Sequence, residues 1–336
     1  MSLDPASGGH APREVPAKSL PVPATVSPRL RRSISDAALA PAGAFLRSPR
    51  TLEQWRGLVA AIAAQGAERL PALLAARPTA IAEQTLGGVT VRRLTPPTLS
   101  ARHQGRLFVH LHGGAYVMSG GEAGIGEGVL LAHAARAEVI SVDYRMPPDH
   151  PFPAAVDDAV AVWRALIETH DPAAIGVFGT SAGGGLLLAM VLRLKALGLP
   201  LPGALAPGTP WADLAGLSDS YQVNAHVDGV LPHYPGVLEA CARLYAGEAP
   251  LDDPLVSPVH GDFAGFPPCI LTSGTRDILL SDTTRVYRAL RAAGVEARLE
   301  LHEAMSHAEY NQAWDSPESE QVFADIVAFL DAHLKG

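Results

Sequence analysis

The pentapeptide Gly179-Thr180-Ser181-Ala182-Gly183 sits where a short apolar run, Ile175 to Phe178, gives way to a long apolar stretch of helical period. A serine on a tight strand-to-helix turn is held in a backbone conformation that pushes its hydroxyl outward, and the glycines two residues to either side leave room for the strand and helix that close on it. This context predicts a nucleophile at Ser181, with a helix N-terminus behind it that favours developing negative charge. A phosphate-binding loop is the competing reading of a glycine-rich turn of this kind, but it requires a lysine after its last glycine, and Gly183 is followed by Gly184, Gly185 and Leu186.

Such a turn presupposes a sheet, and the rest of the chain supplies one. Arg106 to Leu111, Glu138 to Asp143, Ile175 to Phe178, Ala204 to Ala206, Cys269 to Thr272 and Arg298 to His302 read as strands. Helical patterns at Ala154 to Thr169, Ala182 to Leu197, Asp282 to Ala293 and Ser319 to His333 lie between or after them. This alternation implies a mostly parallel sheet covered on both faces. The segment from Leu214 to Gly247 interrupts it after the fourth of these strands and reads as an inserted lid. Upstream, Pro41 to Ala76 has helical spacing around Leu52, Trp55, Leu58, Ile62 and Leu70, a small helical element that must pack on something larger.

A serine hydroxyl needs a base, and the base an orienting carboxylate, which in folds of this type follow in the order serine, acid, histidine. Asp277 comes after the strand Cys269 to Thr272, and His307 after the strand Arg298 to His302. Asp282 and His302 are rivals, but Asp282 reads as a helix cap and His302 falls inside the strand pattern. Ahead of the serine, His112-Gly113-Gly114-Ala115-Tyr116 leaves the strand ending at Leu111. Consecutive glycines there let the N–H groups of Gly113 and Gly114, with that of Ala182, face a developing oxyanion, while His112 anchors the loop.

Charge and cysteine content exclude other classes. The net charge is −8 over 336 residues, with only a short basic cluster at Arg29, Arg31 and Arg32, so no nucleic-acid-binding stripe is visible. Arg31-Arg32 precedes Ser-Ile-Ser-Asp, where a twin-arginine signal would begin its apolar stretch. No apolar run is read as approaching the ~18 residues of a membrane span, so stable membrane insertion is not expected. Cys241 and Cys269 follow no metal-ligand or disulfide spacing and suit a reducing cytoplasm. Glu122 and Glu127, with no histidine at ligand spacing, read as solvated or loop-tying carboxylates rather than metal ligands.

Taken together, the HGGAY loop, the serine pentapeptide, Asp143-Tyr144-Arg145 running on to His150-Pro151-Phe152-Pro153-Ala154, Pro210-Trp211-Ala212-Asp213-Leu214, Asp253-Pro254-Leu255-Val256-Ser257-Pro258 and Ser306-His307 resemble the bacterial hormone-sensitive-lipase-like esterases. The resemblance covers residues 21 to 334. It implies an α/β-hydrolase fold with a helical cap, a triad of Ser181, Asp277 and His307, no cofactor, and hydrolysis of short to medium acyl esters. The implied division is a flexible tail over 1–20, cap over 21–76 and 214–247, and catalytic domain over 77–213 and 248–336. Thr180, where many members carry Asp, is similar to the GTSAG branch; Ala308-Glu309 stands where many have Gly-Phe. Tyr116 and Trp211 are candidates for lining the acyl pocket, with core packing as the alternative. Two other readings use the same fold: an arylamide or formamide hydrolase with the same triad, and a non-catalytic small-molecule receptor, which typically lacks the base. A homodimer or higher homo-oligomer is left open.

Overall fold

The computed structural model describes residues 14–17, 19–37 and 48–336. Eight strands, β1 (Ala80–Leu86), β2 (Val89–Thr95), β3 (Leu107–Leu111), β4 (Val139–Val142), β5 (Ile175–Thr180), β6 (Ala204–Gly208), β7 (Cys269–Gly274) and β8 (Ala297–His302), form one sheet. Their order is β1-β2-β4-β3-β5-β6-β7-β8. The run from β4 through β3 to β8 is parallel, and it contains every strand expected from the sequence. Side chains alternate between two covered faces, so β3 to β7 are buried at every position, whereas the edge strand β8 exposes Arg298 and Leu301. In β5, Ile175 and Val177 face one core and Phe178 the other; in β3, Leu107, Val109 and Leu111 oppose Phe108 in the same way.

β1 and β2 lie outside the sequence expectation. They form an antiparallel hairpin, and β2 pairs antiparallel with β4. The turn is Gly87-Gly88 with φ of +57° and +82°. A two-residue hairpin turn of this type needs positive φ at both positions, which a glycine pair adopts without strain.

Helices α3 (Gly126–Ala135) and α10 (Pro317–His333) cover one face, and α4 (Ala154–Ile167), α5 (Ala182–Ala196) and α8 (Leu280–Ala292) the other. From Ala182 to Val191 the central helix α5 is apolar all round because it is enclosed all round. Leu186, Leu187 and Leu188 are each fully buried, and burial of such a side chain contributes ~2 kcal/mol. Asp282, expected as a helix cap, instead lies inside the first turn of α8, whose N-cap is Leu279.

Two helical parts lie over the C-terminal end of the sheet. The first comprises α1 (Pro28–Ala37) and α2 (Leu52–Ala76), α1 lying ahead of the stretch expected to be helical; positions 41–47 of that stretch, the preceding 38–40, and 1–13 and 18 of the expected tail lie outside the described residues. Leu30 and Ile34 anchor α1, and Ser27 donates from its N–H and hydroxyl to Glu318 at 2.6 and 2.7 Å. The second part carries α6 (Ser220–Val223) and α7 (Val237–Ala246). The expectation that no apolar run nears membrane-spanning length requires a correction. α2, with 25 residues and an 18-residue window of mean hydropathy 1.3, is by length and composition long and apolar enough to span, because alanine-rich stretches dilute its few charges. It packs through Trp55, Leu70 and Leu73, and its Gly66 lies so close to Ala123 that a Cβ there would fall 2.6 Å from the alanine methyl.

Candidate active site

Ser181 sits between β5 and α5 with φ 62° and ψ −124°, a region that non-glycine residues seldom occupy and that surrounding structure must impose. Three backbone bonds impose it: Ser181 N–H donates to Gly208 O, and the N–H groups of Gly185 and Trp211 donate to Ser181 O, each at 2.9 Å. The flanking glycines are required by close approach to β3. A Cβ on Gly179 or Gly183 would fall 2.2 or 1.9 Å from the Leu111 carbonyl oxygen.

The loop leaving β3 lies against this turn. A Cβ on Gly113 would stand 2.9 Å from Thr180 O and 3.4 Å from the Ser181 Cβ, and Gly114 has φ +114°. His112 holds the loop from below, as its position suggested. Its ring stacks on Tyr144 at 4.1 Å, its Nδ1–H donates to Gly113 O at 2.7 Å, and Tyr144 Oη donates to His112 O at 2.6 Å. Burial drives the His112 pKa down to about 4, so the ring is neutral and acts as a spacer.

Asp277 and His307 meet across the ends of β7 and β8. His307 Nδ1 lies 3.0 Å from Asp277 Oδ1 and 2.7 Å from Thr209 Oγ1. A proton on Nδ1 is shared by both acceptors, which leaves Nε2 unprotonated in the neutral ring. Asp277 is fully buried and itself held: Oδ1 accepts the Leu279 N–H at 2.8 Å and Oδ2 the Ser273 hydroxyl at 2.7 Å. Thr209, which the sequence reading did not single out, joins the serine side to the histidine side. It follows Gly208, the acceptor for Ser181 N–H, and its own N–H donates to Thr272 O at 2.6 Å. Its φ of 32° is strained for a β-branched residue and is what aims the hydroxyl at the imidazole.

The rivals are placed elsewhere. Asp282 accepts the N–H groups of Ala212 and Asp213 at 3.0 and 2.9 Å and the hydroxyls of Ser218 and Tyr221. It ties the loop after β6 to α8. His302 closes β8, and its backbone oxygen accepts the Thr275 N–H at 3.0 Å.

The comparisons with known proteins agree with this architecture. The α/β-hydrolase fold family matches residues 108–311. An acetyl-hydrolase of Streptomyces hygroscopicus is 36% identical over 224 residues, spanning 66% of this chain and 73% of that protein. The carboxylesterase NlhH of Mycobacterium tuberculosis is 32% identical over 273 residues, 76% of this chain and 83% of its own. Among solved structures, the esterase E25 superposes with a TM-score of 0.93 at 38% identity, covering 96% of this chain and 99% of that one. A hormone-sensitive lipase from a metagenome library gives 0.80 at 29% identity, covering 93% and 100%. The chain belongs to the hormone-sensitive-lipase-like esterases of the α/β-hydrolase family. It is a serine carboxylesterase.

In this esterase the threonine of GTSAG has a structural occupation. Thr180 Oγ1 donates to Glu127 Oε1 at 2.6 Å and lies 2.6 Å from Tyr310 Oη, while Glu127 Oε2 lies 3.2 Å from His110 Nε2. The buried network joins the residue before Ser181 to α9 (Glu309–Gln312), the short helix that follows His307, and Glu127 is one of its members rather than a solvated carboxylate. Tyr116 and Trp211 are both 1% exposed. Tyr116 stacks on Tyr245 at 4.0 Å, and its hydroxyl donates to Trp211 O at 3.4 Å, so the esterase uses both as packing beneath the loops. A cavity of about 750 Å³ opens between α1, α2 and the second helical part; Ser119, Gly229, Val230 and Glu309 are among its walls. Ser181, Asp277 and His307 are not; the cavity lies beside the loop leaving β3, at Ser119, and the loop that follows β8, at Glu309.

Proposed function

We propose that this esterase hydrolyses short to medium acyl esters through an acyl-enzyme formed on Ser181, with His307 as base and Asp277 as its orienting acid. The observation that carries the reading is the junction of Asp277, His307 and Thr209, built onto the backbone that holds Ser181. With Nδ1 engaged, Nε2 takes the Ser181 proton as Oγ attacks the acyl carbonyl carbon; the imidazolium is stabilised by Asp277 and returns the proton to the departing alkoxide. Water then attacks the acyl-enzyme by the same route. The N–H groups of Gly113, Gly114 and Ala182 donate to the tetrahedral oxyanion, and among the described residues none of the three donates elsewhere. Side chains and backbone supply every proton and charge in this cycle, so the proposed reaction uses no cofactor.

The two helical parts, residues 21–76 and 214–247, act as a cap bounding the substrate chamber, with Tyr116 and Trp211 as its packed floor. Acyl length therefore has a ceiling: a p-nitrophenyl ester series should show activity over about two to eight acyl carbons, with little on long-chain triglyceride. Full long-chain activity with interfacial activation would overturn the bounded chamber. Butyryl p-nitroanilide tested beside p-nitrophenyl butyrate separates the amide reading, and a preference for the anilide would replace the ester assignment. Cys241 and Cys269 are buried free thiols, the Cys241 pKa being pushed up to about 12 by burial, which suits the proposed cytoplasmic location.

The pH profile follows from the environment of His307. Burial favours the neutral ring, but the charge and hydrogen bond of Asp277, with the charges of Asp228 and Asp282, more than offset it and raise the pKa above the ordinary 6.5. Only the neutral ring accepts the serine proton, so activity is lost as pH falls through that raised pKa. The acid limb of kcat/KM should be centred above 6.5; a limb well below that value would contradict the proposed base.

A further inference from the structure

The second helical part reaches into the proposed triad through one turn. Asp228 lies between α6 and α7 and is 2% exposed. Its Oδ1 closes its own turn, accepting the N–H groups of Val230 at 2.8 Å and Leu231 at 2.9 Å. Its Oδ2 accepts the N–H of Ile278 at 2.8 Å and that of His307 at 3.1 Å. Ile278 follows Asp277 directly, so one oxygen spans the loop of the acid and the backbone of the base. Neighbours on the same turn repeat the pattern. Gly229 N–H donates to Ser306 Oγ at 3.0 Å, and Asn224 Nδ2 donates to Asp277 O at 2.8 Å.

We infer that Asp228 is a positioning residue of the triad, its Oδ2 holding the acid and base loops in one register so that cap and catalytic geometry are assembled together. The inference rests on the triad reading given above. The two loops leave separate strands, and bonds nearer the sheet, Thr275 N–H to His302 O and Arg276 N–H to Met305 O, each at 3.0 Å, secure only their bases. Nearer the reacting groups, the carboxylate gathers two N–H donors in charge-assisted bonds, roughly twice as strong as neutral ones. Displacement of a reacting group by about 1 Å can cost about a hundredfold in rate.

Charge acts in the same direction. The groups facing His307 are Asp277, Asp228 and Asp282. Burial, then the charge of Asp277, push the Asp228 carboxyl up to about 7, against the opposing pull of His307 and of its own N–H donors. When ionised, Asp228 favours the imidazolium that forms as Ser181 loses its proton. Its removal therefore lowers the His307 pKa and moves the acid limb of the rate profile to lower pH.

The test compares wild type with Asp228→Asn and Asp228→Glu, active sites being counted by titration with a fluorophosphonate and turnover read on p-nitrophenyl butyrate. In both variants kcat per titrated site should fall about 10- to 100-fold, with KM nearly unchanged. The acid limb of kcat/KM should shift downward in the asparagine variant and stay in place in the glutamate variant. Unchanged kcat, a loss confined to KM, or an unmoved limb in Asp228→Asn would overturn the inference. So would failure of both variants to give titratable protein, which would make Asp228 a folding residue alone. His307→Asn keeps the two readings apart: retained turnover there defeats the triad, whereas lost turnover there with a normal Asp228→Asn defeats only the role of Asp228.

Discussion

Ser181→Ala should lower kcat on p-nitrophenyl butyrate by on the order of 10⁴-fold or more while leaving far-UV dichroism and the melting temperature nearly unchanged. The size of the loss follows from chemistry: without Oγ no acyl-enzyme forms, and only the oxyanion donors and binding remain. The absence of a folding penalty follows from the local structure. The Ser181 hydroxyl donates to no described residue, the strained turn is held by its backbone N–H and carbonyl, and alanine keeps the same Cβ. A burst of p-nitrophenol stoichiometric with the variant would remove Ser181 from the mechanism.

Asp277→Asn should cost about 10⁴-fold in kcat, as expected when the orienting acid of a Ser-His-Asp triad becomes an amide. The carboxylate accepts from three donors, the His307 Nδ1–H, the Leu279 N–H and the Ser273 hydroxyl. An amide has one acceptor oxygen and must aim its NH₂ at one side of this set. If it turns toward His307, the ring adopts the opposite tautomer, with its proton on Nε2 and nothing to accept the serine proton. His307→Asn should fall at least as far. Asp282→Asn should behave differently, losing about 1–3 kcal/mol of stability through its unsatisfied loop donors while keeping most of its kcat per titrated site. Full-stability Asp282→Asn or His302→Asn variants with crippled turnover would reassign the triad.

Some of this site could be read directly along the chain. Ser181, Gly113 and Gly114 lie in contiguous motifs at strand ends, where local sequence and local structure coincide. The hairpin β1–β2 was missed: Gly87-Gly88 was its only local signal, β1 is a half-exposed edge strand, and neither strand carries a continuous apolar run. Helix α3 was obscured by its opening Gly126-Glu127-Gly128, since glycine weakens a helical pattern that tertiary packing then restores. Asp282 misled because an acidic residue at the start of a helical pattern is normally a cap; its burial against the loop after β6 could not be seen locally.

The sequence by itself determined the alternation of strands and helices, the strand-to-helix turn that carries Ser181 and the strand ends that carry Asp277 and His307, the proposed acid and base, because each depends on the periodicity and φ/ψ tolerance of neighbouring residues. Only the tertiary structure decided that Thr209 and Asp228, 98 and 79 residues from His307 along the chain, complete its surroundings. A threonine after a strand and an aspartate in an inserted loop carry no local signal. Their meaning comes from the sheet, which brings the ends of β5, β6, β7 and β8 side by side, and from burial, which makes each unpaired donor at that edge costly enough to require its partner.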